Sequence, residues 1–152
     1  MVKLRSYEPS DFDRLLEIDK ACFVDGIAYD EEEMRHFLAL PSGIVLLAEE
    51  KGTINGFIIA DTLRPRRASS AMGRIITIDV APKAQHLGFG SRLLAEAERE
   101  LKRRGCAHVA LEVAIDNASA LRFYKKHGYS VLKVLPRYYM GTIDGLLMAK
   151  PL

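Results

Sequence analysis

The middle of the chain, residues 74–115, has the pattern of one strand–helix–strand unit, which constrains the fold more than any other feature. The β-branched run RIITIDVAP (74–82) ends at a proline, and apolar residues at helical spacing follow it until Gly105. A second apolar run, AHVALEVAI (107–115), is typical of another strand. Strands joined through a helix pair in parallel with a right-handed crossover. The sequence therefore predicts a parallel pair in the middle of the sheet.

The flanking segments add antiparallel strands and three more helices. Ser10 is the predicted N-cap of a first helix, the pair Asp30 and Glu33 caps a second, and Asn117 caps a helix that Gly128 closes. GIVLLAEEKGTINGFIIAD (43–61) is typical of a hairpin with its turn at 51–53, and RPRRASSAMG (64–73) of a polar loop. YSVLKVL (129–135) and GLLMAKP (145–151) are the predicted last strands. The order βααββ, βαβα, ββ indicates an α+β chain with a mixed sheet.

Length, charge and cysteine usage narrow the class of protein. The 152 residues fit one domain, 1–152, and the net charge of +2 comes from interleaved charges, which argues against a nucleic-acid partner. Cys22 and Cys106 have no CxxC spacing and no nearby histidine, so we expect no disulfide and no metal site. No apolar run approaches the roughly 20 residues that span a bilayer. We expect a cytoplasmic protein without a membrane partner, as a monomer or weak homodimer.

The loop QHLGFGSRLL (85–94) is the first candidate binding element. A strand that ends at a helix N-terminus leaves backbone N–H groups unpaired, and Gly88 and Gly90 remove the Cβ atoms that would keep a phosphate away. A dinucleotide fingerprint would need a glycine where Leu93 stands, and a Walker loop would need Lys-Ser/Thr in place of Ser91 and Arg92. The loop alone is therefore equally consistent with phosphate binding and with a close-packed joint.

Three motifs together resemble one family. VAPKAQHLGFGSRLL resembles the cofactor signature of the GNAT N-acetyltransferase superfamily, and LEVAIDNASALRFYKKHGY resembles the next strand and helix of its ribosomal-protein and archaeal-type N-terminal acetyltransferases. YYMGTIDGLLMAKPL resembles their closing hairpin. The motifs follow in family order over the whole chain. The resemblance implies the GNAT acyl-CoA N-acyltransferase fold, a mixed sheet of about seven strands with about four helices.

The resemblance also implies acetyl-coenzyme A (acetyl-CoA) as cofactor and assigns residues to it. The loop binds the pyrophosphate, the preceding strand binds the pantetheine arm, and the helix after the second strand lies beside the acetyl group. The implied cofactor-binding residues are Ile78, Asp79, Val80, Gln85, His86, Leu87, Gly88, Phe89, Gly90, Ser91, Asn117 and Tyr124.

Acetyl transfer to an amine needs a base for the amine and a proton for the departing thiolate. The resemblance implies Glu112 as the general base and Tyr124 as the general acid. Without the resemblance, strand alternation favours a solvent-facing Glu112 on a half-buried strand, and Tyr124 is typical of an ordinary core aromatic. Neither cysteine lies in a motif, so direct transfer in a ternary complex is expected rather than an acyl-enzyme.

The acceptor is the least determined part. An α-amino group has a pKa of about 8, so about a tenth of it is neutral at pH 7. A lysine amine, with a pKa of about 10.4, is almost wholly charged, so a peptide N-terminus needs a weaker base to deprotonate it. The resemblance implies that Tyr138 and Tyr139 line the peptide groove. The segment ACFVDGIAYDEEEM (21–34) lacks the family's Pro-Trp, so Val24, Ile27 and Tyr29 are expected to line a different pocket. We therefore expect an N-terminal acetyltransferase, with a lysine or small-amine acetyltransferase and a non-catalytic acyl-CoA sensor as alternatives.

Overall fold

The computed structural model describes residues 1–64 and 70–152, which form one mixed sheet with helices on both faces. The helices are α1 (Phe12–Cys22), α2 (Glu31–Leu38), α3 (Phe89–Arg103) and α4 (Ala118–Lys126). The strands are β1 (Lys3–Ser6), β2 (Ile44–Glu50), β3 (Thr53–Leu63), β4 (Ala71–Val80), β5 (Cys106–Ala114), β6 (Ser130–Tyr139) and β7 (Ile143–Pro151).

The predicted α+β architecture is confirmed. The seven strands lie in the order β1-β2-β3-β4-β5-β7-β6, and β4 and β5 form the parallel pair while the other neighbours run antiparallel. Helix α3 connects this parallel pair, as the strand–helix–strand pattern predicts. The hairpin turn between β2 and β3 uses Lys51 and Gly52, both with positive φ.

Helices α1 and α3 lie on opposite faces of the sheet. Two neighbouring residues of β4 show this, since neighbouring side chains of a strand point to opposite sides. The Cβ position of Gly90, on α3, is 3.6 Å from Cγ2 of Val80, so Val80 faces α3. The preceding residue, Asp79, has its buried carboxyl beside Asp19 of α1. The buried apolar residues of α3 (Leu93, Leu94, Ala97 and Leu101) and of α1 (Phe12, Leu15, Leu16 and Ile18) pack on these two faces.

The parallel pair separates halfway along its length, and this separation positions the candidate site. Strands β4 and β5 pair only from Ala71 to Arg74 on β4, opposite Cys106 to Ala110 on β5. Beyond that point β4 continues to Val80 and β5 to Ala114, which pairs with β7 instead. The second half of β4 therefore has one edge that β5 does not cover; we call residues 75–80 the open edge.

Three local predictions are wrong. Ser10 does not cap the first helix, because a 3₁₀ turn over Pro9–Asp11 precedes α1, and Asp11 binds the guanidinium of Arg5 and the N–H of Glu8. Strand β4 begins at Ala71 because residues 71–73 pair with β3 and β5, and β6 continues to Tyr139 because it pairs with β7. Residues 65–69 of the predicted polar loop lie outside the described residues.

The other caps agree with the sequence. Asp30 and Glu33 form a capping box on α2, and Asn117 Oδ1 accepts from the N–H of Ala120 on α4. Within the described ranges, no helix is long and apolar enough to cross a membrane.

Candidate functional site

The open edge of β4 presents backbone groups toward the gap between β4 and β5. The N–H of Ala81 donates to the carbonyl of Asn55 on β3, so strand alternation turns the backbone groups of Val80 and Ile78 to the other edge. The Val80 carbonyl there accepts from Gln85 Nε2 at 3.1 Å and from Cys22 Sγ at 3.2 Å. Backbone amides along an uncovered strand edge can bind an extended chain that carries amide groups.

The loop after β4 presents N–H groups at the start of α3. His86 and Gly88 have φ of 65° and 88°, and alternation of left-handed residues turns successive N–H groups to one side. The first intrahelical bond of α3 runs from Arg92 N to Gly88 O, so the N–H groups of residues 89–91 have no intrahelical acceptor. The Cβ position of Gly88 faces open space. This arrangement suits an anion such as a pyrophosphate.

Glycine is favoured at the two positions of the loop for different structural reasons. Gly88 has a left-handed backbone that favours glycine, whereas Gly90 lies against α4, where an added Cβ would be 3.4 Å from the ring of Phe123. Ser91 Oγ and His127 Nε2 are 3.0 Å apart, which joins the start of α3 to the end of α4. Burial lowers the pKa of His127. Leu87 is exposed and extends from the loop surface.

The Glu112 side chain is partly buried, with 24% of it exposed, and it contacts two polar side chains. Its Oε2 accepts from the Tyr138 hydroxyl at 2.6 Å and from Arg74 Nη2 at 3.3 Å. The hydrogen bond to Glu112 raises the pKa of Tyr138. Both contacts use the same carboxylate oxygen, so the side chain is oriented while Oε1 has no partner among the described residues. An oriented carboxylate with one uncommitted oxygen can bind or deprotonate an amine.

Tyr124 lies on α4 with a buried ring, which packs edge-on against Phe123 and Tyr129. Burial raises the pKa of Tyr124, and the charge of Asp79 acts in the same direction. The phenol therefore stays protonated over the physiological pH range, as a proton donor must.

Tyrosines surround Glu112 and Arg74 on this face. Tyr138 and Tyr139 come from β6, and Tyr29 comes from the α1–α2 segment, where its hydroxyl contacts the Ile76 carbonyl at 3.4 Å. Burial raises the pKa of Tyr139 to about 12, and the charge of Glu112 adds to this shift. We call Arg74, Glu112, Tyr29, Tyr138 and Tyr139 the acceptor cleft.

The α1–α2 segment and the β6–β7 turn contact each other beside the acceptor cleft. Met140 in the β6–β7 turn covers Gly26 in the α1–α2 segment so closely that a Cβ on Gly26 would be 2.5 Å from the methionine sulfur. Val24 is exposed in that segment, and Ile27 is half-buried after a turn in which its N–H donates to the Val24 carbonyl. The segment and the hairpin thus approach each other across the predicted acceptor groove.

A buried pair of carboxyl groups fixes the α1–α2 segment to β4. Asp79 Oδ1 accepts from the Thr77 hydroxyl at 2.5 Å, and Asp19 Oδ2 accepts from Tyr29 N at 2.7 Å. Their other oxygens, Asp19 Oδ1 and Asp79 Oδ2, have no other partner among the described residues, and the two carboxyls are hydrogen-bond neighbours. Burial raises the pKa of Asp79 well above its usual range, and Asp19 beside it acts in the same direction. We infer that Asp79 keeps its proton and shares it in a hydrogen bond to Asp19.

We expect Asp79→Asn to flatten the pH dependence of stability. Above the unfolded-state pKa of about 4, folded Asp79 keeps a proton that the unfolded chain releases, so the free energy of unfolding falls as pH rises, by at most about 1.4 kcal/mol per unit. The asparagine amide can still donate to Asp19 without that proton. In urea unfolding from pH 5 to 8, the free energy of unfolding of the variant should rise relative to that of the wild type as the pH increases. A pH-independent difference, like that expected of exposed Asp25→Asn, would contradict the shared proton.

The structure brings most predicted site residues to the gap and places a few elsewhere. Glu112, Tyr124, Tyr29, Tyr138 and Tyr139 lie around it, and the loop 85–91 lies at its open end. The Asp79 carboxyl lies in the core against α1, and Asn117 makes its cap. Sequence reasoning missed Arg74, Asp19, Phe123 and His127. No group of three metal-ligating side chains occurs among the residues with described positions.

Comparison with known proteins gives consistent results. Residues 12–129 match the family model described as "Acetyltransferase (GNAT) family". An uncharacterized N-acetyltransferase of Methanocaldococcus jannaschii is 29% identical over 97% of this chain and 90% of its own length. An N-alpha-acetyltransferase of Sulfurisphaera tokodaii is 27% identical over 99% and 93%. The crystal structure of Ard1 from Thermoplasma volcanium superposes with a TM-score of 0.87 at 23% identity, covering 99% of this chain and 97% of that one, which shows the shared fold.

Proposed function

Because the chain belongs to the GNAT acetyltransferase family, whose cofactor is acetyl-CoA, we propose that it acetylates the N-terminal α-amino group of a protein or peptide. We take residues 1–152 as one catalytic domain for this reaction. The observation that carries the proposal is the oriented Glu112 carboxylate at the base of the acceptor cleft. The similarity to an N-alpha-acetyltransferase over nearly the whole chain supports the choice of acceptor.

The open edge and the loop fit acetyl-CoA in their chemistry. In our proposal the backbone groups of Ile78 and Val80 bind the amide-bearing pantetheine arm, and the free N–H groups of residues 89–91 bind the pyrophosphate. Gln85 holds the Val80 carbonyl at the corner between the two elements. The bound cofactor supplies a thioester whose carbonyl carbon accepts the amine and whose thiolate leaves.

Glu112 prepares the acceptor amine. The α-ammonium binds near the uncommitted Oε1, which takes its proton directly or through one water, and the neutral amine keeps its lone pair for the thioester carbon. Tyr138 and Arg74 hold the other carboxylate oxygen and so prevent the side chain from rotating away. A direct attack of this kind needs no enzyme nucleophile, which agrees with cysteines whose thiol pKa values burial raises.

Tyr124 completes the transfer from the other side of the gap. Its protonated hydroxyl donates to the sulfur as the C–S bond breaks. The attacking nitrogen releases its second proton to solvent, and solvent reprotonates the tyrosine, so the products are the free thiol and the acetylated amine. The buried ring keeps the hydroxyl at a fixed position, because Phe123 and Tyr129 pack against it.

An acceptor screen with thiol release as readout tests the proposed function. The panel contains peptides with a free α-amine and no lysine, the same peptides with a blocked α-amine and one lysine, spermidine and an aminoglycoside. We expect turnover with free α-amines and at least tenfold lower kcat/KM with every other class, as the amine pKa values suggest. Higher turnover of lysine peptides or small amines would overturn the choice of acceptor. Acetyl-CoA binding without turnover of any acceptor would indicate a sensor.

Gly145 on β7 gives a separate test of the acceptor cleft. A Cβ at this position would be 3.2 Å from both Tyr138 Cβ and Tyr139 Cε2, so Gly145→Ala displaces the tyrosines. We expect kcat/KM for a peptide to fall about tenfold, since small displacements of positioning groups cost catalysis, with unchanged acetyl-CoA affinity by calorimetry. Thr142→Ala in the same hairpin is the control. Wild-type kinetics for Gly145→Ala would remove Tyr138 and Tyr139 from acceptor binding.

A further inference from the structure

Arg74 is a charged side chain of the acceptor cleft whose part in the proposed reaction is to hold the Glu112 carboxylate. It lies on β4 at the last residue paired with β5, opposite Ala110. Its Nη2 approaches Glu112 Oε2 at 3.3 Å, a long contact, and 38% of its side chain remains exposed. The guanidinium therefore keeps part of its surface available to a ligand in the cleft.

Most hydrogen-bond donors of Arg74 have no acceptor among the residues that the structure describes. A guanidinium carries five N–H donors, and Glu112 is the acceptor that Arg74 has among the described residues. Its positive charge opposes the upward pKa shifts of Tyr29, Tyr138 and Tyr139, which places it near all three tyrosines of the acceptor cleft. A bidentate carboxylate is the partner that such a planar set of donors binds best.

The charges of the cleft indicate that the carboxylate bound by Arg74 belongs to the acceptor. Glu112 and Arg74 together are neutral, so an incoming α-ammonium meets a carboxylate and a guanidinium side by side. If the acceptor carries only the ammonium, Glu112 is shared between two positive charges, and the guanidinium has no carboxylate of its own. An acceptor with one ammonium and one carboxylate matches both charges at once.

On the basis of the proposed function, we propose that the acceptor cleft selects peptides with an acidic side chain in their first two residues. Arg74 binds the carboxylate of that side chain, while Glu112 Oε1 binds the α-amine. Tyr138 donates to Glu112, and Tyr29 and Tyr139 lie close enough for the charge of Arg74 to act on them. The arginine thus acts as a specificity residue and as a support for the base.

Competition kinetics with matched peptides test this selection. The peptides begin Ala-Ala, Glu-Ala, Ala-Glu and Lys-Ala, share the remaining sequence and lack other free amines. We expect kcat/KM for at least one glutamate peptide to exceed that for Ala-Ala about tenfold, the effect of one charge-assisted hydrogen-bonded pair, and Lys-Ala to be slowest. The preference should shrink as salt rises, because the pair is partly exposed.

Variants of Arg74 test whether this residue causes the preference for glutamate peptides. In Arg74→Gln the ratio of glutamate to alanine peptides should fall to about one, whatever the change in absolute rate, and Arg74→Lys should retain part of it. Arg99→Gln, which removes an exposed arginine of α3, should leave the ratio unchanged. Turnover of Ala-Ala with no preference for glutamate, or a preference that survives Arg74→Gln, would overturn the inference alone. Failure of every peptide N-terminus would overturn the proposed function as well.

Discussion

Replacing Glu112 by glutamine is expected to lower kcat by about 100-fold, the lower range for loss of a general base. The amide has the shape of the carboxylate, so its oxygen can still accept from Tyr138 and Arg74. What is lost is the ability to take a proton from the acceptor amine. Because the bound cofactor is assigned to the open edge and the loop, acetyl-CoA affinity by calorimetry should be unchanged.

The control for this prediction is Glu96→Gln, which alters a half-exposed carboxylate on α3, away from the acceptor cleft. It should keep wild-type kcat and KM. If Glu112→Gln also kept wild-type kcat, the role of base would pass to a water or a backbone group. A large loss of acetyl-CoA binding would instead show that Glu112 supports the cofactor rather than the acceptor.

Tyr124→Phe is expected to lower kcat by roughly tenfold to 100-fold, since the thiolate leaves more easily than an alkoxide and needs less help from an acid. The ring keeps its contacts with Phe123 and Tyr129, and only the hydroxyl is removed. Stopped-flow measurement of thiol release should locate the loss in the chemical step.

The pH profile tests whether the Tyr124 hydroxyl stays protonated during the reaction. Burial raises the pKa of Tyr124, so the wild type should lose no activity from its ionisation up to pH 9. Tyr124→Phe should therefore be slower by the same factor at every pH in that range. Tyr7→Phe, a half-buried tyrosine on another part of the chain, serves as control. Wild-type rates for Tyr124→Phe at every pH would remove the residue from the mechanism.

Most of the fold follows from local patterns in the sequence. The apolar periodicity of residues 93–101, the caps at Asp30 and Asn117 and the stop at Gly105 each specify an element that the structure contains. The strand–helix–strand unit required the parallel pair that β4 and β5 form. The prediction for the start of α1 is wrong because a 3₁₀ turn over Pro9–Asp11 comes before the helix, and the carboxylate of Asp11 binds Arg5.

The site was harder to predict because its contacts join distant residues. Whether Glu112 faces the cleft depends on the β5 register, since a shift of one residue reverses the face, and the pairing of Glu112 with Leu147 is set by the whole sheet. Arg74 at the start of an apolar run had no local signal of a role beside Glu112. The Asp19 and Asp79 carboxyls are 60 positions apart in sequence, and only the packing of α1 on β4 brings them together.

The most direct test of the account uses a peptide with one free α-amine and one internal lysine. The peptide is incubated with enzyme and acetyl-CoA, and tandem mass spectrometry locates the added acetyl group. We expect a single acetyl group on the N-terminal residue with the wild type, and no detectable acetylation by the Glu112→Gln variant in the same reaction time. Acetylation of the lysine side chain, or equal modification of both amines, would contradict the account.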